Sequence, residues 1–164
     1  MRIMYYIRSP RDRKRGFKAW IAGWAIMIRT FSKKTHVEWD FEDAVGPNGE
    51  NCFSSSGLDG GARWKQIDFS HPERWEEEKL PDPTGIILEE TIAKCNSMDG
   101  WPYGHKEIWF NQFLPFGVDD ENAVICSECC AILARLAHTV ISPIQLYKRV
   151  KWLLSVDIRV PLDE

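Results

Sequence analysis

The sequence contains no apolar run long enough to cross a lipid bilayer. Residues 19–28, AWIAGWAIMI, carry no charge, but about 18 consecutive apolar residues are needed for a membrane span. The stretch follows the basic run RDRKR, yet it lacks a convincing small-residue cleavage site, so we expect no signal peptide. The large apolar residues of 17–31 recur at helical spacing, and a helix that is apolar nearly all round is usually buried. Residues 17–31 are therefore predicted to form a core helix.

Basic residues are not in excess, and no internal repeat, linker or low-complexity stretch is present. The 164 residues carry a formal net charge of −3, whereas a nucleic-acid-binding domain usually shows a basic footprint. A chain of this length is large enough to build one hydrophobic core. We therefore expect a single domain spanning residues 1–164, with no nucleic-acid partner.

The cysteines do not form a recognisable disulfide framework. Their number, five, is odd, which is typical of free thiols in a reducing compartment. A structural zinc site needs four ligands. Cys126 and Cys129 have a suitable spacing, but no second CxxC pair and no HxxxH pair exists. His138 follows nine residues after Cys129 on the same predicted helix, roughly 13 Å away. We expect neither a metal nor a cofactor, and a metal-binding module stays as a rival hypothesis.

The order of the predicted elements favours an α+β fold built on an antiparallel sheet. Alternating, β-rich segments predict strands, and longer periodic segments predict helices. The polar segment HPERWEEEKL is predicted to be a solvated turn or short helix, with its glutamates facing water. The predicted strands are 3–7, 36–41, 51–56, 62–69 and 156–162. The predicted helices are 17–31, 84–97 and a last one entered through Pro143, and 124–140 is predicted to be a strand end that runs into a helix.

Three cysteines are crowded into VICSECC, residues 124–130. Cys129 and Cys130 belong to an apolar stripe that continues along the predicted helix, and cysteine is a good small hydrophobe in such a stripe. Cys126 differs because it lies where an extended segment passes into the helix. Backbone N–H groups and the macrodipole at a helix start favour a thiolate, which is the attacking form of cysteine. Cys126 is therefore a candidate nucleophile.

A nucleophilic cysteine needs a nearby base, and the chain offers four histidines. His71 lies in a polar turn, His105 follows a loop, and His138 faces away along the helix. His36 begins a predicted strand, and Glu38 shares its face of that strand. From the residues alone, His36 is a candidate base for Cys126, and the alternative that it is a structural histidine stays open.

Five segments together resemble a known family: THVEWDF, CFSSSGLDGGARWK, GWPY, VICSE and SPIQLY. They are similar to the circularly permuted branch of the NlpC-type papain-like hydrolases, whose members are common in bacteria and in phage or prophage genomes. In that branch the histidine strand precedes the cysteine. The resemblance covers residues 17–148, and the C-S-E at a helix start and the H-x-E strand are its most specific parts.

The resemblance implies a permuted papain-like core, in which a helix carrying the nucleophile packs on an antiparallel sheet or half-barrel carrying the base. Cys126 matches the nucleophile and His36 the base. For the third member, Ser54 is expected to lie across from His36 on the next strand, whereas Glu38 is the stronger acceptor. We favour Glu38, with Ser54 as a rival or partner. Tyr103 matches a loop position that aspartate often follows in the family; Gly104 stands there instead.

The resemblance thus implies a thiol hydrolase that forms an acyl-enzyme on Cys126 and acts on a peptide, another amide or a lipid ester. The expected location is cytoplasmic or virion-associated. The alternative is a non-catalytic papain-like domain kept as a structural or binding part, for example in a phage virion. An intact Cys126–His36 pair favours the enzyme.

Overall fold

The computed structural model describes residues 1–8, 24, 27, 28, 30–80, 85–104, 123–136 and 142–155. Within them it contains one antiparallel sheet and three helices, which confirms the expected α+β class. The strands are β1 (Arg2–Ile7), β2 (Lys34–Asp40), β3 (Cys52–Ser56), β4 (Gly61–Lys65) and β5 (Trp75–Lys79). The helices are α1 (Gly85–Met98), α2 (Cys126–Leu133) and α3 (Pro143–Ser155). The strand predicted at 156–162 lies outside the described residues.

The sheet has the order β4-β3-β2-β1-β5, and every pair of neighbours is antiparallel. The connection from β2 to β3 turns at Gly49 and the one from β3 to β4 turns at Gly60, where the φ angles are 86° and 90°. β5 follows β4 in the chain but pairs with β1 at the opposite edge. β2, which carries His36 and Glu38, therefore has a neighbour on each side.

The segment predicted as a solvated turn or short helix contains β5, so that prediction was wrong. Its glutamates find partners across the sheet: Glu76 forms an ion pair with Lys34, and Glu77 with Arg2. Glu78 is buried and accepts from Lys151 of α3 at 2.8 Å. Strand preference depends on cross-strand and facing neighbours, which a run of glutamates does not reveal.

The helices and the sheet share one hydrophobic core. Cys129 and Cys130 of α2 are fully buried in it, as predicted. α2 ends before the predicted helix, which was expected to continue to residue 140, because the chain turns at Arg135, whose φ is 54°. Residues 137–140 lie outside the described part. The core also contains Val37, Trp39 and Phe53 of the sheet, Cys95 and Met98 of α1, and Leu146 and Val150 of α3.

The predicted core helix 17–31 is described only near its end, at residues 24, 27, 28, 30 and 31. Residues 24, 27, 28 and 30 are helical, but the expected burial is wrong there: Ile28 is 66% exposed and Phe31 is 96% exposed. Helical spacing shows that residues share a face, whereas what covers that face is decided by tertiary packing. None of the described helices is long and apolar enough to cross a bilayer.

The edge of β4, which is shorter than the predicted strand 62–69, is covered by residues 100–104. Gly61 bridges Pro102, and the Ala62 N–H donates to the Trp101 carbonyl at 2.8 Å. A Cβ at Gly61 would lie 2.0 Å from that carbonyl oxygen. Only glycine lets the two backbones approach this closely.

We expect Gly61→Ala to lower the free energy of unfolding by about 1–3 kcal/mol, because a backbone atom must move to admit the methyl group. Urea unfolding measures the loss. The control is Leu58→Ala in the same turn, whose side chain is 63% exposed and whose truncation should change stability by less than about 0.5 kcal/mol. Equal losses in the two variants would contradict the close-approach explanation.

Candidate active site

The chain before α2 is anchored by its backbone. The Val124 carbonyl accepts from the Ser55 hydroxyl at 2.6 Å, and its N–H donates to the Pro102 carbonyl at 3.1 Å. Tyr103 bridges Val124 in parallel, and the Gly104 N–H donates to the Val124 carbonyl at 3.4 Å. Tyr103, considered above as a cleft residue, is thus part of the backbone support that fixes where α2 begins.

Cys126 is the first residue of α2. Ile125 before it is extended, with φ −93° and ψ 163°, and its N–H donates to Glu128 Oε2 at 3.5 Å. Cys126 is 5% exposed, while the other four cysteines are fully buried. The predicted position of this thiol at a helix start is therefore confirmed.

His36 lies beside an irregularity in β2. Tyr6 of β1 pairs with His36, but Ile7 pairs with Lys34, so Thr35 is an extra residue on β2. Such a bulge bends a strand and redirects the side chains next to it. His36 emerges from this bend with its side chain one quarter exposed.

The His36 ring contacts both of the other predicted site residues. Nε2 lies 2.7 Å from Glu38 Oε1; because a carboxylate only accepts, Nε2 carries the hydrogen. The ring also interacts electrostatically with the Cys126 side chain, and Nδ1 is the nitrogen that Glu38 leaves available for it. The structure therefore brings together Cys126, His36 and Glu38.

Charge within this cluster moves two pKa values in opposite directions. Burial alone lowers the pKa of His36, but the negative charges of Cys126 and Glu38 outweigh it and raise the pKa to about 10. Burial alone would raise the pKa of Glu38, but the charges of His36 and Arg63 hold it well below its usual range. The Glu38 carboxylate therefore favours the imidazolium form of His36.

Arg63 of β4 is a member of this cluster that reasoning from the sequence missed. Its Nη2 donates to Glu38 Oε1 at 2.8 Å and its Nη1 to Oε2 at 3.0 Å, so the pair is bidentate. Burial lowers the pKa of Arg63, but the charge of Glu38 outweighs this and raises it. The missing signal was strand register, since only pairing of β2 with β3 and of β3 with β4 brings the two residues together.

Ser54 does not lie where it was expected. The pairs Trp39–Phe53 and Asp40–Cys52 continue to place Ser54 beside Glu38 rather than across from His36. Its hydroxyl donates to the Val37 carbonyl at 2.6 Å. The register expected from the sequence was therefore wrong by two residues, which is enough to exchange the partner of Ser54.

The remaining cysteines and the remaining described histidine, His71, lie away from this cluster or are buried in the core. Burial raises the pKa of the thiols of Cys52, Cys95, Cys129 and Cys130. His71 is exposed, as expected, and pairs with Glu73 at 3.5 Å. His105 and His138 lie outside the described residues. In the part of the chain that the structure describes, no group of three or more histidine, cysteine or acidic side chains could hold a metal ion.

Comparison with known proteins adds no relative: no protein-family model, no curated protein and no solved structure matches this chain.

Alkylation should select Cys126 from the five thiols. The other four are fully buried, and the thiolate is the reactive form. Brief treatment of the folded protein with substoichiometric iodoacetamide, read by peptide mass spectrometry, should place the label on Cys126. Cys129 and Cys130 should react only after unfolding. Preferential labelling of Cys52 or Cys95 would contradict this reading of the site.

Substitutions of Glu38 and of Ser54 should differ in how the stability that they remove depends on pH. Because the pKa of Glu38 is lowered on folding, its contribution to stability is present above its ordinary value of 4.5 and lost as pH falls through the folded value. The pKa of His36 is raised, so its contribution is present below its ordinary value of 6.5 and lost as pH rises through the folded value. Glu38 and His36 therefore both contribute fully to stability between pH 4.5 and pH 6.5.

We therefore expect the stability gap between wild type and Glu38→Gln to be largest near pH 5.5, at about 3–5 kcal/mol for a broken buried pair, and to shrink on acidification. Ser54→Ala removes a neutral hydrogen bond and should cost about 1–3 kcal/mol at every pH. Urea titrations at pH 5.5 and 3.5 compare the variants. A pH-independent gap for Glu38→Gln would show that its carboxylate is not the paired group.

Proposed function

We propose that this protein is a thiol hydrolase that cleaves amide or ester bonds through an acyl-enzyme on Cys126. The observation that carries the proposal is the His36 ring, which is hydrogen-bonded to the buried Glu38 carboxylate and interacts electrostatically with the Cys126 side chain. A nucleophile, a base and a third group that orients the base make up the minimal arrangement for this chemistry.

Each step follows from these positions. His36 takes the proton of the Cys126 thiol, and the thiolate sulfur attacks the substrate carbonyl carbon. Backbone N–H groups at the start of α2 would stabilise the oxyanion that forms. The imidazolium then gives its proton to the leaving nitrogen or oxygen as the old bond breaks. Water, deprotonated by His36, attacks the thioester, and a carboxylic acid leaves with the thiol restored.

Glu38 supports both proton transfers without being consumed. Accepting from Nε2 at 2.7 Å, it keeps Nδ1 directed at the thiol and stabilises the imidazolium. Its burial, with 1% of the residue exposed, strengthens the interaction because little water screens it.

The fold supports assignment to the circularly permuted, NlpC-type papain-like hydrolases. The base stands on a strand that precedes the nucleophile in the chain, and the nucleophile begins a helix that contacts that strand and β3. Peptides, other amides and lipid esters are the proposed substrates, and a cytoplasmic or virion-associated location is proposed with them.

His36→Ala should lower the alkylation rate of Cys126 near neutral pH by at least about tenfold, since an unpaired thiol has a pKa of about 8.5 and is mostly protonated there. The matched control is His71→Ala, which removes an exposed histidine and should leave the rate unchanged. Unchanged alkylation in His36→Ala would mean that His36 is not the base.

The acyl-enzyme can be tested with p-nitrophenyl acetate, an activated ester. We expect release of p-nitrophenol, an acetyl group on Cys126 in the intact mass, and loss of both in Cys126→Ala. Folded wild-type protein that is alkylated at Cys126 but never acetylated or turned over would contradict hydrolysis. That result would favour the non-catalytic papain-like domain.

A further inference from the structure

We infer that Arg63 is a positioning residue for the proposed reaction, because its guanidinium fixes the Glu38 carboxylate in the orientation that accepts from His36. The inference rests on the proposed function and adds to it a fourth residue, which contacts neither the thiol nor the imidazole through any hydrogen bond among the described residues.

The hydrogen bonds of Glu38 define the plane of its carboxylate. Each of its oxygens accepts from a different nitrogen of Arg63, at 2.8 and 3.0 Å. Oε1 is shared, since it also accepts from His36 Nε2 at 2.7 Å. Two parallel bonds define the plane of a carboxylate, which a single donor does not. The plane set by Arg63 is therefore the plane that His36 meets.

Arg63 is itself fixed from two other directions. Nη1 donates to the Ser54 carbonyl at 2.9 Å, and Nε donates to Asp59 Oδ2 at 2.7 Å. All three guanidinium nitrogens are thus engaged, by β2, by β3 and by the turn before β4. A lysine could supply the charge but not the planar fork.

The other ionisable groups around Glu38 make a second cation necessary. Within the described residues, His36 and Arg63 are the cations that form ion pairs with Glu38. The remaining neighbours are acids: the Cys52 thiol lies 3.8 Å from Oε2, and the thiols of α2 interact electrostatically with the carboxylate. Asp40 follows on the same face of β2 and is engaged by Arg2. Without Arg63, the His36 imidazole would be the remaining ion-pair partner of the Glu38 carboxylate among the described residues, although Glu38 is the group proposed to orient that imidazole.

The test is the pH profile of Cys126 alkylation in Arg63→Gln and Arg63→Lys. Loss of an adjacent guanidinium raises a carboxyl pKa by about 1–3 units, so the acidic midpoint of the profile should move upward by about one unit or more in Arg63→Gln. Arg63→Lys should restore most of this midpoint while leaving the neutral-pH rate below that of wild type. A residue needed only for folding would reduce the amount of active protein without moving the midpoint.

Lys65→Gln is the matched control. Lys65 lies on the same strand and face as Arg63 and also pairs with Asp59, at 2.9 Å, but within the described residues it forms no hydrogen bond or ion pair with Glu38. Its removal deletes one positive charge nearby and should leave the midpoint where it is. An equal shift in Lys65→Gln would show a general charge effect and overturn the inference.

A double variant tests whether Arg63 acts through Glu38. In a Glu38→Gln background, Arg63→Gln should have no further effect on the alkylation profile. The double variant removes both buried charges together and leaves neither one unpaired. Its alkylation profile can therefore be measured even where Arg63→Gln alone fails to fold. A further loss of reactivity in the double variant would mean that Arg63 acts directly on the thiol or the substrate.

Titration of the Glu38 carboxyl by carbon NMR separates this inference from the proposed function. A wild-type Cys126 that is not selectively alkylated would defeat the proposed function, yet the carboxyl titration would still report whether Arg63 holds Glu38. An unshifted Glu38 titration in folded Arg63→Gln would overturn the role of Arg63 even with Cys126 fully reactive.

Discussion

A buried carboxylate must be paired, and the arrangement of this site depends on the pairing of Glu38, which is 1% exposed. Transfer of an ionised group from water into a protein interior costs several kcal/mol unless opposite charges and hydrogen bonds replace the lost hydration. His36 meets one of its oxygens and Arg63 meets both. Because the two cations stand on different strands, satisfying this one carboxylate requires the registers of β2, β3 and β4 to be correct at once.

The same requirement links the sheet to α2. The Ser55 hydroxyl holds the Val124 carbonyl, and residues 100–104 connect the edge of β4 to the chain that leads into Cys126. The thiol is therefore placed by backbone contacts with β3 and β4, while the imidazole is placed by β2. Polar contacts that span the sheet therefore set the positions of both Cys126 and His36, and the proposed reaction would require both groups to be held within a narrow geometry.

Local chemistry was visible in the sequence wherever one segment carries the whole signal. H-x-E predicts two side chains on one strand face, and they are hydrogen-bonded. Cys126 at the end of an extended segment predicts a thiol at a helix start, and Cys129 and Cys130 in an apolar stripe predict burial. The predictions that failed depend on distant partners: β5 needs Lys34, Arg2 and Lys151 to accommodate its glutamates, and the exposed end of 17–31 depends on what packs against it.

The amino-acid sequence by itself determined the α+β class, the strand that bears His36 and Glu38, and the position of Cys126 at the beginning of a helix, because hydrophobic periodicity and local backbone preference act over a few residues. Only the tertiary structure decided that Arg63 forms an ion pair with Glu38 and that the Ser54 hydroxyl donates to the Val37 carbonyl instead of contacting His36. It also decided that the His36 ring interacts with the Cys126 side chain. The physical reason is strand register: a shift of one residue exchanges the face and the partner of every side chain on a strand, and register depends on the turn and on both paired strands together, which no single segment reveals.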